Sequence, residues 1–166
     1  MLYKVFAQHL QHAFPHQFTP HQAEAALRIG AFMADPRDRQ AFILRGYAGT
    51  GKTTAVSSII RTLGELKINT VLLAPTGRAA KVLSGYAGRA ASTVHKHIYR
   101  QKAVSGDGFG EFSLNQNKDR DTLFVVDEVS LIGIDSSAGN TTAAFGTGNL
   151  LEDLIAFMRN GVDCKM

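Results

Sequence analysis

The sequence predicts an α/β fold in which helices cover both faces of a parallel sheet. Three apolar segments without polar alternation, at residues 41–44, 69–74 and 122–126, are typical of strands that are buried on both sides. Apolar residues recur at helical spacing in residues 52–67 and 77–83, so strands and helices alternate along the chain. Buried strands that alternate with helices favour a parallel sheet between two helical layers.

Length and composition indicate one domain. The chain has 166 residues, of which 45% are hydrophobic, which is enough for one α/β core but little for two. No apolar run approaches the roughly 18 to 20 residues that cross a bilayer, and the N-terminal stretch MLYKVFAQHL lacks the apolar core of a signal peptide. We therefore expect a soluble, cytoplasmic protein without a membrane partner. The single cysteine, Cys164, excludes an intramolecular disulfide and an all-cysteine zinc site.

Residues 1–35 are predicted to form a helical N-terminal segment. Apolar residues recur at helical spacing before Pro15, which ends the first helix. Thr19 then provides an N-cap for a second helix, with Pro20 at its first position. Gln22 lies three positions after Thr19, where it completes a capping box.

Two later segments are predicted to be loops. Residues 101–121 are rich in Gly, Ser, Asn and Lys, which predicts a surface excursion with a small hairpin at residues 109–114. Residues 133–148 are rich in Gly, Ser and Thr. Asn149 follows as the N-cap of a last helix, with Glu152 in the position that completes a second capping box.

A glycine-rich segment, LRGYAGTGKTTA at residues 44–55, matches the phosphate-loop pattern G-x-x-x-x-G-K-T between a predicted strand and a predicted helix. Glycines let backbone N–H groups turn toward the phosphates of a nucleotide, and the helix N-terminus adds partial positive charge. Lys52 supplies a full charge, and the Thr53 hydroxyl is a ligand for Mg²⁺. The strand-loop-helix context disfavours a glycine-rich turn without a ligand. The loop residues predicted to bind the nucleotide are Gly46, Ala48, Gly49, Thr50, Gly51, Lys52, Thr53 and Thr54.

The third predicted strand ends in two carboxylates, Asp127 and Glu128. Asp127 is predicted to enter the Mg²⁺ shell, and Glu128 to polarise a water for in-line attack on the γ-phosphate. The predicted catalytic residues are thus Lys52, Asp127 and Glu128, and the predicted metal ligands are Thr53 and Asp127. A base beside the metal ligand favours hydrolysis over transfer to a substrate hydroxyl. Two solvated loop carboxylates are the structural alternative.

Positive charge is concentrated in one window of the sequence. The chain carries a net charge of +4, and residues 66–106 contain no Asp or Glu. If the fold brings the cations of this window to one side, they form a basic surface for an anionic partner; an ordinary solvated face is the alternative. The cations of the window are Lys67, Arg78, Lys81, Arg89, Lys96, Arg100 and Lys102.

Four separate motifs resemble those of superfamily 1B DNA helicases of the RecD-like type. They are the phosphate loop, LAPTGRAAKV at residues 73–82, ASTVHK at residues 91–96 and DEVS at residues 127–130. The resemblance implies a RecA-like P-loop NTPase fold, with ATP and Mg²⁺ as cofactors and single-stranded DNA as partner. It also implies an ATP-dependent DNA helicase that couples ATP hydrolysis to movement along DNA. Nuclease or recombination proteins are further candidate partners.

The resemblance also implies roles for individual residues. Gln22 is similar to the glutamine that reads the adenine, although a helix cap alone also explains a Gln at this position. His95 corresponds to a DNA-facing histidine, with a packing role as the alternative. Together with the neighbouring cations, the residues expected to face single-stranded DNA are Pro75, Thr76, Gly77, Arg78, Lys81, Thr93, His95 and Lys96.

Helicases of this type continue beyond the part that this chain resembles. Their next core strand ends in a Gly-Asp-x-x-Gln-Leu motif, and a second RecA-like domain supplies arginines to the ATP site and half of the DNA path. This sequence stops at residues 163–166. We therefore expect residues 1–166 to be the N-terminal part of a RecA-like ATPase domain, truncated before that strand and with little activity alone. A non-catalytic nucleotide- or DNA-binding module and a P-loop kinase are the alternatives.

Overall fold

The computed structural model describes residues 2–47, 49–104, 110–132 and 144–166, so most of the predicted loop at residues 133–148 lies outside the described part. The helices are α1 (Leu2–Ala13), α2 (Pro20–Ala34), α3 (Lys52–Glu65), α4 (Gly77–Ala87), α5 (Val94–Ile98) and α6 (Leu150–Arg159), with a 3-10 helix at Val129–Leu131. The strands are β1 (Asn69–Ala74), β2 (Ser92–Thr93), β3 (Tyr99–Val104), β4 (Gly110–Leu114), β5 (Thr122–Val126) and β6 (Ala144–Phe145). None of the described helices is long and apolar enough to cross a membrane.

The central sheet is parallel, with the strand order β2-β1-β5. Leu73 of β1 pairs with Val126 of β5 on one side and with Ser92 of β2 on the other. Because the strands run in the same direction, their carboxyl ends, such as Ala74 of β1, meet at one edge. We call this the carboxyl edge. The predicted parallel sheet is confirmed.

The first predicted strand, residues 41–44, is not a regular strand. Its neighbour is the segment 164–166, which lies beside β5, and the Phe42 N–H donates to the Met166 carbonyl at 2.8 Å. In the described part of the chain this pairing reaches no further than Phe42, and Ile43 is 78% exposed. The segment therefore runs parallel to the sheet and leads into the phosphate loop, but it is covered on one side only.

Apolar clusters lie on both faces of the central sheet. Leu123 of β5 packs with residues of α1, α2 and α3, whereas the adjacent Phe124 packs with residues of α5 and α6. Successive residues of a strand point to opposite faces, so the two clusters lie on opposite sides. Leu72 of β1 packs with α3 and α4. Helices therefore cover both faces, as predicted.

The predicted surface excursion at residues 101–121 is only partly a surface loop. Strands β3 and β4 form an antiparallel hairpin that begins earlier than predicted, where Tyr99 pairs with Leu114, and β6 runs parallel to β4. Asn117 is 6% exposed, and its side-chain amide donates to the Phe157 carbonyl of α6 at 3.0 Å. Polar composition predicts solvation here, but a backbone carbonyl of α6 satisfies the buried amide instead.

Both predicted helix caps are present, and one of them differs in detail. Thr19 and Gln22 form the complete capping box of α2. At α6, the side-chain oxygen of Asn149 accepts the Glu152 N–H at 3.2 Å, as predicted. The Asn149 N–H, however, donates to the Thr147 hydroxyl at 3.2 Å rather than to Glu152. A residue before the helix thus completes this cap.

Candidate nucleotide-binding site

The phosphate loop adopts a backbone that requires its glycines. Gly49 and Gly51 have φ angles of 76° and 82°, in the left-handed region that glycine adopts at little cost. Gly51 is also the N-cap of α3, and no described side chain caps this helix end. The N–H groups of the first turn of α3 are therefore available to an anion. Ala48, which is also predicted to bind the nucleotide, lies outside the described residues.

Lys52 is folded back onto the loop that precedes it. Its ammonium group donates to the carbonyls of Gly46 and Tyr47 at 2.6 and 2.7 Å. The Thr50 hydroxyl also donates to the Tyr47 carbonyl, at 2.8 Å. A Cβ on Gly46 would lie 2.8 Å from the Thr50 hydroxyl oxygen and 3.3 Å from Cγ of Lys52, so this arrangement requires glycine. The loop thus holds its own cation on neutral carbonyls.

Thr53 and Thr54 lie in the first turn of α3. Thr53 is exposed, and its hydroxyl makes no hydrogen bond to the described residues, whereas Thr54 is partly buried. A free hydroxyl oxygen is a suitable ligand for Mg²⁺. The described residues hold no group of three or more His, Cys, Asp or Glu that could bind a metal ion by itself. Mg²⁺ that is bound with a nucleotide usually takes part of its ligands from phosphate oxygens.

Asp127 is fixed at the carboxyl end of β5. Its N–H donates to the Leu73 carbonyl at 3.0 Å, which continues the pairing of β1 with β5 by one residue. One carboxylate oxygen accepts the Glu128 N–H at 3.0 Å, and the other accepts the Tyr86 hydroxyl at 2.5 Å. A carboxylate offers about four lone-pair sites, so each oxygen keeps one for a metal ion or a metal-bound water.

Glu128 has a different environment from its neighbour. It is exposed, and its carboxylate makes no hydrogen bond or ion pair with the described residues. Its φ angle of 54° lies in the left-handed region, which is rare for a residue with a side chain. Strain of this kind costs on the order of 1 kcal/mol and is concentrated at functional sites. A free carboxylate in a strained turn suits the predicted role of Glu128 as a base.

Tyr86 links parts of the site and was missed by sequence reasoning. Its hydroxyl donates to Asp127, 41 residues away, and its carbonyl accepts the Ser57 hydroxyl of α3 at 2.9 Å. Burial, followed by the hydrogen bond to Asp127, raises the pKa of the Tyr86 phenol well above its usual value, so the phenol stays protonated. In the described residues no hydrogen bond joins the phosphate loop to the two carboxylates. The helical spacing of Tyr86 from Leu83 predicts only a core aromatic residue.

Gln22 combines a helix cap with a position beside the phosphate loop. Its side-chain oxygen accepts the Thr19 N–H at 3.0 Å. Its Nε2 lies 3.5 Å from the position that a Cβ on Gly51 would occupy. At the other end of α2, the Lys165 ammonium donates to the Phe32 carbonyl at 2.8 Å. The capping box uses only the side-chain oxygen of Gln22, so its amide nitrogen remains beside the phosphate loop. Helix α2, which carries Gln22, is held at both ends.

The two turns assigned to DNA by resemblance lie side by side at the carboxyl edge. Ala74 of β1 pairs with Thr93 of β2, so the turns that follow these strands are neighbours. Thr76 is the N-cap of α4, and its hydroxyl accepts the Ala79 N–H at 3.2 Å. Thr93 is the N-cap of α5, and its hydroxyl accepts the Lys96 N–H at 3.2 Å. Both threonines thus have a structural role in starting a helix.

Exposure separates the residues predicted to face DNA. Pro75 is buried, which disfavours the predicted contact of its ring with DNA. Thr93 and His95 are partly buried. The residues that remain exposed are Thr76, Gly77, Arg78, Lys81 and Lys96.

His95 is part of an aromatic cluster. Its ring centroid lies 5.7 Å from that of Tyr99 and 5.2 Å from that of Phe145. Burial lowers the pKa of His95, which favours the neutral ring at pH 7. A neutral, packed ring cannot add positive charge to a DNA site, so the packing alternative accounts for its present contacts.

The cations of the basic window do not all lie on one side of the fold, so the condition for a single basic surface is not met. Lys67 and Arg89 line a cleft of about 790 Å³ together with Lys118 and Arg120. This cleft lies at the amino ends of β1 and β5, whereas Arg78 follows the carboxyl end of β1. The length of β1 separates the two groups of cations.

A comparison with protein-family models identifies the kind of domain. A model described as an AAA domain matches residues 17–148, which is more than half of the chain. No curated protein matches the chain. The chain therefore belongs to the AAA domain family and is a P-loop nucleotide-binding, helicase-like domain of the NTP-hydrolysing kind. The predicted α/β P-loop fold of the RecA-like type is confirmed, whereas the RecD-like assignment stays a prediction.

A glycine substitution tests the loop geometry. Gly46→Ala should weaken binding of a non-hydrolysable ATP analogue with Mg²⁺ about tenfold or more, because the added methyl would lie 2.8 Å from the Thr50 hydroxyl oxygen and displace this part of the loop. Gly85→Ala in α4 is the matched control, since a Cβ there meets nothing within 4 Å. Fluorescence titration measures both affinities. Equal affinities in the two variants would contradict the assigned geometry.

Proposed function

We propose that this chain is the ATP-binding motor domain of a RecD-like DNA helicase, which couples ATP hydrolysis to movement along single-stranded DNA. One observation carries the proposal. The phosphate loop, the Asp127–Glu128 pair and the two turns at Thr76 and Thr93 all follow parallel segments of one sheet and therefore share its carboxyl edge. Membership of the AAA domain family supports the nucleotide part of this proposal, and the RecD-like motifs support the DNA part.

ATP binding would involve an exchange of hydrogen-bond partners in the loop. Lys52 would leave the neutral carbonyls of Gly46 and Tyr47 for the β- and γ-phosphates. Both sets of bonds have an ionised donor, but phosphate oxygens also carry negative charge, and this added attraction favours the exchange. The N–H groups of the first turn of α3 would bind phosphate oxygens. Gln22, whose amide nitrogen lies beside the loop, would read the adenine.

Hydrolysis would depend on three oxygen-bearing side chains. The Thr53 hydroxyl and a carboxylate oxygen of Asp127 are suitable ligands for Mg²⁺. The bound ion would neutralise charge on the phosphate oxygens. Glu128, whose carboxylate makes no hydrogen bond or ion pair with the described residues, would orient the attacking water and accept its proton.

Single-stranded DNA would bind to the exposed parts of the two turns. Arg78, Lys81 and Lys96 would supply positive charge for DNA phosphates, and Thr76 and Gly77, at the start of α4, would lie at the same turn as Arg78. Binding that depends on phosphate contacts weakens steeply as the salt concentration rises.

Further partners follow from the same proposal. A facing second RecA-like domain would supply arginines to the γ-phosphate and the other side of the DNA path. Nuclease or recombination proteins are candidates for association with such a motor. A reducing cytoplasm suits the buried thiol of Cys164.

A single-turnover assay with Glu128→Gln tests the proposal. With the 166-residue chain in excess over labelled ATP, we expect slow phosphate release, on the order of 10⁻⁴ to 10⁻³ per second without a facing arginine. Single-stranded DNA should accelerate the release. Glu128→Gln should keep ATP affinity and lose the release, because it removes the base and keeps the shape.

Two outcomes of this assay contradict the proposal. Absence of release even with DNA indicates a binding module without turnover. If phosphate release is unchanged by DNA and persists in Glu128→Gln, both the helicase assignment and the role of Glu128 are contradicted.

A pair of variants separates the two roles of Gln22. Thr19→Ala and Gln22→Ala each remove one half of the capping box, so each should lower the free energy of unfolding by about 1 kcal/mol. Only Gln22→Ala should reduce the preference for ATP over GTP, because only Gln22 has an amide beside the loop. Competition binding with the two nucleotides measures the preference. If both variants keep it, Gln22 is a helix cap and nothing more.

A further inference from the structure

We propose that Tyr86 is a positioning residue that holds the Asp127 carboxylate in the orientation needed to ligate Mg²⁺. The inference rests on the proposed function, since it assumes that Asp127 binds the metal of a metal–nucleotide complex. It assigns a role to a residue outside the phosphate loop, the Asp-Glu pair and the DNA-facing turns.

The tyrosine is held from several directions. Its ring packs against the apolar cluster that includes Leu72 and Leu83, and its carbonyl accepts the Ser57 hydroxyl of α3. The hydroxyl group then reaches Asp127 with a 2.5 Å hydrogen bond. A donor whose own position is fixed by packing and by a backbone contact can fix its acceptor.

The carboxylate of Asp127 depends on this donor for its orientation. One carboxylate oxygen accepts the N–H of Glu128, which is the next residue in the chain and has a strained backbone. The Tyr86 hydroxyl binds the other oxygen from a different element, α4. With one donor on each oxygen, rotation of the carboxylate about its terminal bond is restricted, and the remaining lone pairs keep a fixed direction.

Ser57 gives this arrangement a connection to the phosphate loop. It lies in α3, the helix that begins at Lys52, and its hydroxyl donates to the Tyr86 carbonyl. Tyr86 therefore joins the helix that would bind phosphate to the carboxylate that would bind the metal. Relative movement of α3 and β5 would change both contacts of Tyr86.

Tyr99 provides a matched control for a purely structural role. Its hydroxyl donates to the carboxylate of Asp153 at 2.7 Å, and Asp153 is 2% exposed. Both tyrosines are thus at least partly buried and donate to a carboxylate, but the Tyr99 pair joins the hairpin to α6. Replacing either tyrosine by Phe removes one hydroxyl and keeps the ring.

The experiment compares nucleotide affinity with and without Mg²⁺. A fluorescent, non-hydrolysable ATP analogue is titrated into the 166-residue chain and into Tyr86→Phe and Tyr99→Phe, in Mg²⁺ and in EDTA. The dissociation constant in EDTA divided by that in Mg²⁺ measures how much the metal strengthens binding, and part of this gain comes from the contact between protein and metal. Tyr86→Phe should lower this ratio about tenfold, as is typical when a partner of a metal ligand is lost. Tyr99→Phe should leave the ratio unchanged, even where it shifts the melting temperature.

Each result supports or overturns the inference. An unchanged ratio in Tyr86→Phe, or equal changes in both variants, overturns it while the proposed function stands. If the parent chain binds no analogue, the proposed function fails and the inference fails with it. If Tyr86→Phe does not fold, Ser57→Ala is the alternative test, because it keeps the Tyr86 phenol and removes the hydrogen bond to the Tyr86 carbonyl. A two- to threefold loss in the ratio supports the inference, and no loss overturns it.

Discussion

The parallel pairing of β1 with β5 is the constraint on which the candidate site depends. It places the residues that follow both strands at one edge, and the bond from the Asp127 N–H to the Leu73 carbonyl extends it by one residue. The segments 40–42 and 164–166 continue the sheet on the far side of β5, so the phosphate loop emerges at the same edge. A different register would move Asp127 off the carboxyl edge.

Within this frame, the phosphate loop and the acidic pair are held in different ways. The loop makes hydrogen bonds within itself, since the Lys52 ammonium donates to the carbonyls of Gly46 and Tyr47. Asp127 is held from outside, by Tyr86 of α4. A loop that binds itself can exchange its partners for phosphate, whereas a carboxylate held from another helix keeps its direction. A loop whose hydrogen bonds can be exchanged for phosphate and a carboxylate of fixed direction together suit a site that binds and releases a charged ligand.

Local chemistry explains which features the sequence could predict. The phosphate loop and the capping box of Thr19 and Gln22 each depend on residues within a few positions of one another, so both can be recognised from the sequence alone. The bond between Tyr86 and Asp127 spans 41 residues and has no local pattern. The division of the basic window follows from strand length, because the six residues of β1 span about 20 Å and carry Lys67 and Arg78 to opposite edges.

The central claim is that one Mg²⁺-dependent nucleotide site lies on the phosphate loop, and calorimetry tests it most directly. Titration of the 166-residue chain with a non-hydrolysable ATP analogue and Mg²⁺ should give one binding site per chain. Lys52→Ala should abolish the binding or weaken it at least a hundredfold, about 2.7 kcal/mol, because the loop loses its cation. Equal affinity of Lys52→Ala and the parent chain would contradict the claim.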